Sequence, residues 1–367
     1  MSTEDEPLDP RDLLDTQTET HLDENAVAEL IESIKEAQYF DPTSMAPLTS
    51  ASLAAIARLR AYQPPPFATW NRLPLSRRAA VLILLFADRR GDLRVVITMR
   101  AMSLRNFSGN GTGHAAFPGG KADTLEETPF EIARREAFEE IGLPQDDKKL
   151  PPPFRVEHLC ELPYNLARTA LAVRPCVAFL HSDDTSGMKS ASVEESMIPR
   201  LDAKEVAAVF SAPFHNFLRA EDEVRDNETV PGKRSDWYSG SWSDWNKTRW
   251  RMHDFQVPIV NQMVSKPKSR DGGQAAISEE LDHEELTRYR VWGMTARILV
   301  DAARIAYGED PEFEFNTHLG DERMIENLEK MGQMKEKKLG GPDLSRTDLE
   351  EASKKTAAEL RKSDAKM

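Results

Sequence analysis

The sequence predicts an α+β fold, and three observations predict it. Two apolar, β-branched runs, Ala79–Ala87 and Leu93–Thr98, flank Asp88-Arg89-Arg90-Gly91-Asp92, the signature of a β-hairpin. A Gly-rich loop from Ser108 to Gly120 then runs into an amphipathic helix. Further strand-like segments around Val156–Leu162 and Leu171–Leu180 precede a second amphipathic pattern, Val291–Tyr307 (VWGMTARILVDAARIAY), which reads as a helix packed on the core.

The remaining elements take their places around these. Residues 1–45 read as an acidic, disordered leader with one short helix around Ala26–Ala37. Residues 46–73 are a helix and a Pro-rich lead-in: Ser52–Tyr62 has apolar positions at helical spacing, and Pro64-Pro65-Pro66 ends it. A single domain is expected over 74–308, with polar insertions near 181–199, 221–236 and 265–285. Within it, Glu205–Phe210 reads as a strand and Pro213–Leu218 as a helix. Four of the six tryptophans crowd into Trp237–Trp250, interleaved with Lys247, Arg249 and Arg251. That alternation suits stacking on nucleobases, but a hairpin burying the rings is the commoner cause. Residues 309–367 are charged and Gly-interrupted, and are expected to form loose helices or disorder.

Charge excludes several functions. The net charge is −14, yet residues 1–40 hold twelve acids against Arg11 and Lys35, a local balance of −10. The rest is near neutral and shows no concentrated basic face, so no nucleic-acid partner is expected. The longest wholly apolar run, Ala79–Ala87, is far short of a bilayer span, so no membrane partner is expected either. The acidic start lacks the features of a signal peptide or mitochondrial presequence. With only Cys160 and Cys176 there is no disulfide framework or cysteine zinc site. A soluble protein of a reducing compartment is the expectation.

The chemistry concentrates in Phe117–Leu143, FPGGKADTLEETPFEIARREAFEEIGL. Thr128 and Glu131 form a capping box, Pro129 occupies the first helical position, and Gly142 supplies a left-handed stop after Ile141. At about 100° per residue, Glu136, Glu139 and Glu140 share one face, while Phe130, Ala133, Ala137 and Ile141 form the buried stripe beside it. An E-x-x-E-E pattern alone is usually a solvated acidic face. Here Gly119-Gly120, Arg135 and Gly142 accompany it, and like charges at i,i+4 repel unless something neutralises them. Divalent cations would do so, and oxygen-only ligands suit Mg²⁺ or Mn²⁺.

This segment resembles the Nudix box, G-x5-E-x7-R-E-U-x-E-E-x-G-U with U aliphatic. Arg135-Glu136, Glu139-Glu140, Gly142 and Leu143 match in spacing, with Ala137 at the first U. The front half carries one extra residue: Gly120 is spaced correctly from Glu126, but Arg135 from Glu127. That insertion, with Phe117-Pro118-Gly119-Gly120-Lys121 and Asp123, resembles the coenzyme A diphosphatase branch. Upstream, Ile97-Thr98-Met99-Arg100, Leu104-Arg105 and Gly113-His114-Ala115-Ala116-Phe117 fit that branch's motif. Phe107 stands where the motif has His, and Gly109–Thr112 is inserted. Leu201–Val206 and Val291–Ala296 also resemble the branch, particularly its fungal peroxisomal members.

The resemblance implies a Nudix fold, an α/β/α sandwich with a mixed sheet and a catalytic loop-helix, enlarged by loop insertions. It implies hydrolysis of the diphosphate of coenzyme A or acyl-CoA to 3′,5′-ADP and 4′-phosphopantetheine or its acyl form. It makes Glu136 and Glu140 metal ligands, Glu139 a third ligand or the group that orients water, and Gly120 a carbonyl donor. Arg135 becomes a brace towards Glu126 or Glu127, and Gly119, Arg100 and Arg105 become substrate-binding residues. His114 is a candidate phosphate contact and Glu205 a candidate further carboxylate. Two other readings share the box: a pyrophosphatase that sanitises oxidised nucleoside triphosphates, and a catalytically silent binding module. Ala365-Lys366-Met367 resembles the Ser-Lys-Leu address, implying a peroxisomal import receptor as a partner.

Overall fold

A computed structural model of the chain describes residues 48–100, 114–182, 206–223, 231–245, 248–259 and 287–336, with isolated positions near 193–201, 262–266 and 347–355. The acidic leader, Arg105, Phe107, Gly109–Thr112, Glu205 and Ala365-Lys366-Met367 lie outside the described residues, as does the side chain of Arg100.

The hairpin forms where the sequence places it. Strand β1 (Arg78–Ala87) and strand β2 (Leu93–Arg100) are antiparallel, with Leu85 opposite Val95 and Ala87 opposite Leu93. Asp88 closes the turn by accepting the Arg90 and Asp92 amide protons at 2.9 Å each. Two short strands follow: β3 (His114–Ala116) on β2 and β4 (Gly119–Lys121) on β1. Strands β5 (Phe154–Glu161), β6 (Asn165–Leu166), β7 (Ala172–Ser182) and β8 (Ala208–Pro213) complete a mixed sheet, in which β1 and β7 run parallel. The sheet centre is apolar on both faces, as a covered central strand must be. Ile83 and Leu85 of β1 face one core, and Ala80, Leu82 and Leu84 face the other.

Helices cover the two faces. On the first lie α1 (Ser50–Ala61), through Ala55, Ile56 and Leu59, and the long helix of residues 293–307. On the second lies α2 (Pro129–Ile141), through Ile132, Ala133, Ala137 and Ile141. The architecture is therefore the α/β/α sandwich of an α+β fold. A second, three-stranded sheet extends the first core: β9 (Tyr238–Trp245), β10 (Thr248–Pro258) and β11 (Arg288–Trp292).

Three readings change. Val291 and Trp292 end strand β11, and the helix, α3 (Gly293–Tyr307), starts only at Gly293. Tyr289 and Val291 alternate inward between Arg288, Arg290 and Trp292, a period of two that outweighs helical spacing there. The tryptophan-rich stretch is the expected hairpin, but of its described rings only Trp237 is fully buried, its Nε1 donating to Asn216 O at 3.0 Å. The strand expected at Glu205–Phe210 lies later, at Ala208–Pro213, and only a short 3-10 turn, His215–Leu218, follows it.

The largest difference concerns the segment after Glu309, expected to be loose. Residues 309–336 pack on the domain, and α4 (Glu322–Lys330) buries Ile325 and Leu328 completely. The anchors are polar as well as apolar. Asp321 is buried, accepts Arg297 Nη1 at 3.0 Å and takes the Leu166 amide proton at 2.8 Å. Glu322 accepts the Tyr164 amide proton at 3.2 Å. Buried charged anchors of this kind leave no trace in a hydropathy pattern.

Candidate active site

Helix α2 is specified locally. Thr128 Oγ1 accepts the Glu131 amide proton at 3.3 Å, and Glu131 Oε2 accepts the Thr128 amide proton at 2.8 Å, completing the capping box. Gly142 ends the helix at φ 71°, donating to Phe138 O at 3.0 Å, while Leu143 N donates to Ala137 O at 3.3 Å. Phe130 is only partly buried, its ring stacked 4.0 Å from His158, and Ile132, which the expected stripe leaves out, is fully buried beside it.

One arginine holds the preceding loop to this helix. Arg135 Nε meets Glu127 Oε1 at 2.8 Å, and Nη2 donates to Lys121 O at 2.7 Å. Its Nη1 lies 3.1 Å from Glu136 Oε1 and 3.5 Å from Glu139 Oε2. The far oxygen of Glu127 accepts the Asp123 and Thr124 amide protons at 2.6 and 3.3 Å. Burial pushes the Glu127 carboxyl up, but the Arg135 guanidinium and these two amides prevail and hold it below the usual carboxylate value. The ambiguity of the two glutamates is resolved: Glu127 makes the latch, and Glu126 is exposed.

Two more glutamates meet the Gly-Gly turn. Glu140 is 2% exposed and accepts the Gly119 amide proton on Oε2 at 3.1 Å. The carboxylate of Glu136 lies directly over Gly120: a Cβ there would come within 2.3–2.5 Å of its atoms. Gly119 is as tightly placed, since its Cβ would stand 2.4 Å from Ala80 O. Any side chain at either position would push β4 off β1 or the glutamates off the turn. Glu139 is the outward member, 42% exposed.

These residues fit a divalent cation, although among the described residues no three carboxylate, imidazole or thiol groups stand together as a ready cluster. The fit rests on a buried carboxylate, a second carboxylate in a cradle that only glycine leaves open, and donors that are all hard oxygens.

Of the other candidates, Arg100 pairs with His114 in the β2–β3 ladder. The His114 ring lies 5.3 Å from that of Trp292, and burial together with Arg290 holds its imidazolium below the ordinary value. Cys160 and Cys176 are buried thiols, and burial pushes Cys160 up to about 12, so neither is a nucleophile. Among the described residues no helix is long and apolar enough to cross a membrane. Arg78 was not singled out in the sequence, standing as the second of two adjacent bases, Arg77-Arg78, before an apolar run. Its guanidinium reaches the same loop, donating to Leu125 O at 3.1 Å.

Similarity to known proteins points the same way. The family model described as NUDIX domain matches residues 76–231. Peroxisomal coenzyme A diphosphatase 1 of Saccharomyces cerevisiae is 31% identical over 280 residues, spanning 73% of this chain and 80% of that protein. The chloroplastic Nudix hydrolase 22 of Arabidopsis thaliana is also 31% identical, over 65% of this chain and 58% of its own length. Peroxisomal coenzyme A diphosphatase NUDT7 of Mus musculus is 27% identical over 67% of this chain and 77% of its own. With the family model over the loop and helix just described, and the yeast protein alike along 80% of its own length, the chain belongs to the Nudix hydrolases.

Proposed function

We propose that the chain hydrolyses the diphosphate bond of coenzyme A and its acyl derivatives, giving 3′,5′-ADP and 4′-phosphopantetheine or its acyl form. The observation that carries the substrate class is the likeness to the yeast coenzyme A diphosphatase along 80% of that protein's length. The names of the yeast and mouse relatives make a peroxisomal location part of the same reading.

In this reading Glu136 and Glu140 hold Mg²⁺ or Mn²⁺, with the Gly120 carbonyl as a further oxygen donor. When bound, the ion supplies positive charge against the diphosphate oxygens and lowers the pKa of water. The chain's own groups do the rest. Arg135, latched to Glu127, keeps the loop closed on the helix and sets the spacing of Glu136 from Gly120. Glu139 Oε2, with room on its solvent side, orients the attacking water and takes its proton as the new P–O bond forms and the bridging P–O bond breaks. Arg100 and Arg105 supply cationic charge for the 3′-phosphate, and Gly119 keeps the backbone low enough for a phosphate to approach.

Product analysis tests this directly. The chain is incubated with Mg²⁺ or Mn²⁺ and CoA, acetyl-CoA, ADP-ribose, NADH, diadenosine polyphosphates or 8-oxo-dGTP. The expected products from CoA are 3′,5′-ADP and 4′-phosphopantetheine. Turnover of another substrate with no 3′,5′-ADP from CoA would overturn the substrate class while leaving the hydrolase in place.

A further inference from the structure

Arg78 opens β1 and is 6% exposed. Its guanidinium donates three hydrogen bonds, all to backbone carbonyls: Nε to Leu73 O at 3.0 Å, Nη1 to Leu125 O at 3.1 Å and Nη2 to Asn71 O at 3.2 Å. Its carbon lies 5.3 Å from the centre of the Trp70 ring. Among the described residues no carboxylate pairs with it. A buried guanidinium is costly to desolvate, and a packing role alone would be served as well by an apolar side chain. Those three carbonyls are what the charge is used for, because a charge-assisted bond to a backbone oxygen is stronger than a neutral one.

The carbonyls belong to two separate segments. Asn71 and Leu73 lie in the lead-in, whereas Leu125 is at the outer turn of the loop between β4 and α2, with its own side chain 53% exposed. The strand alternates, so Arg78 projects to the same face as Ala80 and Leu82, the face that α2 covers. Ala80 is the partner of Gly120 in the ladder, and the Ala122 amide donates to Arg78 O at 3.1 Å. Arg78 therefore stands roughly 7 Å along the strand from the Gly120–Glu136 contact. The lead-in is itself anchored. Trp70 packs 5.0 Å from Tyr164, and Arg72 meets Glu329 of α4 at 3.2 Å.

The loop is consequently held from four sides. Its start hangs on β1 by backbone bonds, Arg135 of α2 grips Lys121 O and the Asp123 and Glu127 carboxylates, the Asp123 and Thr124 amides hang on Glu127, and its outer turn hangs on Arg78. Among the described residues the last is its hydrogen-bonded tie to the lead-in. We propose that Arg78 is a positioning residue, fixing the outer turn of the loop through the Leu125 carbonyl so that Glu127 can latch Arg135 and Glu136 stays seated on Gly120. This role rests on the catalytic reading of the loop and helix given above. Arg78 itself touches neither substrate nor reacting atoms.

The test compares Arg78→Met and Arg78→Lys with Leu299→Ala, which cuts a cavity in the core on the other side of the sheet and serves as a control for lost stability. Amide hydrogen exchange is measured on the full chain without substrate, and kcat and KM on whichever diphosphate substrate the wild type turns over. In Arg78→Met the amides of residues 122–127 should exchange at least tenfold faster, while those of Ala133 and Ala137 keep their protection relative to Leu299→Ala. The kcat should fall at least tenfold with KM within about twofold. Lysine keeps the charge but cannot span three carbonyls, so Arg78→Lys should fall between wild type and Met on both readouts. Wild-type protection of residues 122–127 in Arg78→Lys would overturn the proposal, and so would a kcat loss no greater than that of the equally destabilised control. If Arg78→Met does not fold, Arg78→Lys against the control decides alone. Because exchange needs no substrate, failure of the coenzyme A assignment leaves this comparison intact.

Discussion

Replacing Glu127 and Glu126 one at a time separates two adjacent glutamates that the box spacing leaves equivalent. Glu127 accepts Arg135 Nε at 2.8 Å and two loop amides, with 18% of its side chain exposed and 15% of its partner's. Hydrogen bonds to charged groups are worth about 1.5–3 kcal/mol each. Glu127→Gln keeps one oxygen as an acceptor and loses the ionic part of the pair, so the expected cost is about 2 kcal/mol. For a domain of this size that is a fall of roughly 4–8 °C in Tm. Glu126 is exposed, and Glu126→Gln should stay within about 0.5 kcal/mol of wild type. Turnover should follow the same order. A loop displaced by about 1 Å costs on the order of a hundredfold in rate, so kcat should drop by roughly that factor in Glu127→Gln and hardly at all in Glu126→Gln.

Acid provides an internal check. The folded Glu127 carboxyl lies below its ordinary value, so its contribution is fully present above about pH 4.5 and is lost as pH falls through the folded value. The Tm difference between wild type and Glu127→Gln should therefore be constant from neutral pH down to about 4.5 and shrink below it. Thermal melts across pH and initial rates at saturating substrate read both effects. Equal losses in the two variants, or a Glu127→Gln enzyme as stable and as fast as wild type, would refute the latch.

Two further outcomes are expected. Glu140→Gln keeps an acceptor for the Gly119 amide but removes the buried charge, so turnover should fall by several orders of magnitude while the fold, read by circular dichroism, is retained; full activity would remove Glu140 from the cation site. His215 sits between Glu223 at 2.7 Å and Glu309 at 3.2 Å, with Arg219 competing for both carboxylates and Tyr307 against its ring. Burial pushes its imidazolium down, yet the two carboxylates prevail and raise it above 6.5. Its contribution, about 1 kcal/mol, is thus full below pH 6.5 and lost as pH rises through the folded value; a His215→Gln deficit in Tm that grows with pH would contradict this.

What could be read from the sequence was what neighbouring residues decide among themselves. The hairpin was legible because Asp88 and Gly91 bend the chain within five residues, and α2 because its cap, its first-turn proline and its terminal glycine are contiguous. The parallel β1–β7 contact was not legible, since nothing local distinguishes it from other pairings of apolar strands. Nor was the packing of residues 309–336. Arg297 is paired with Asp321, twenty-four residues away, and Arg72 with Glu329, 257 residues away. In the sequence those look like ordinary surface charges, and only the completed fold buries or joins them.

The candidate site divides along the same line, and the division explains where the extra residue sits. On α2, one inserted residue would turn Glu140 by about 100° relative to Glu136 and carry it away from the Gly119 amide. In the loop, an inserted residue can be taken up by an exposed turn, and Leu125 and Glu126 are exposed there. The helical half of the box is rigid in register, so the positions of its side chains on α2 follow from spacing alone. The loop half absorbs length, so spacing from Gly120 and spacing from Arg135 point to different glutamates. The choice falls to Glu127 because the latch is set from the helix side: Arg135 has a fixed register on α2, and the glutamate that reaches it is the one counted back from it. A loop so lengthened needs its slack taken up, and the Leu125 carbonyl in the grip of Arg78 is where that occurs.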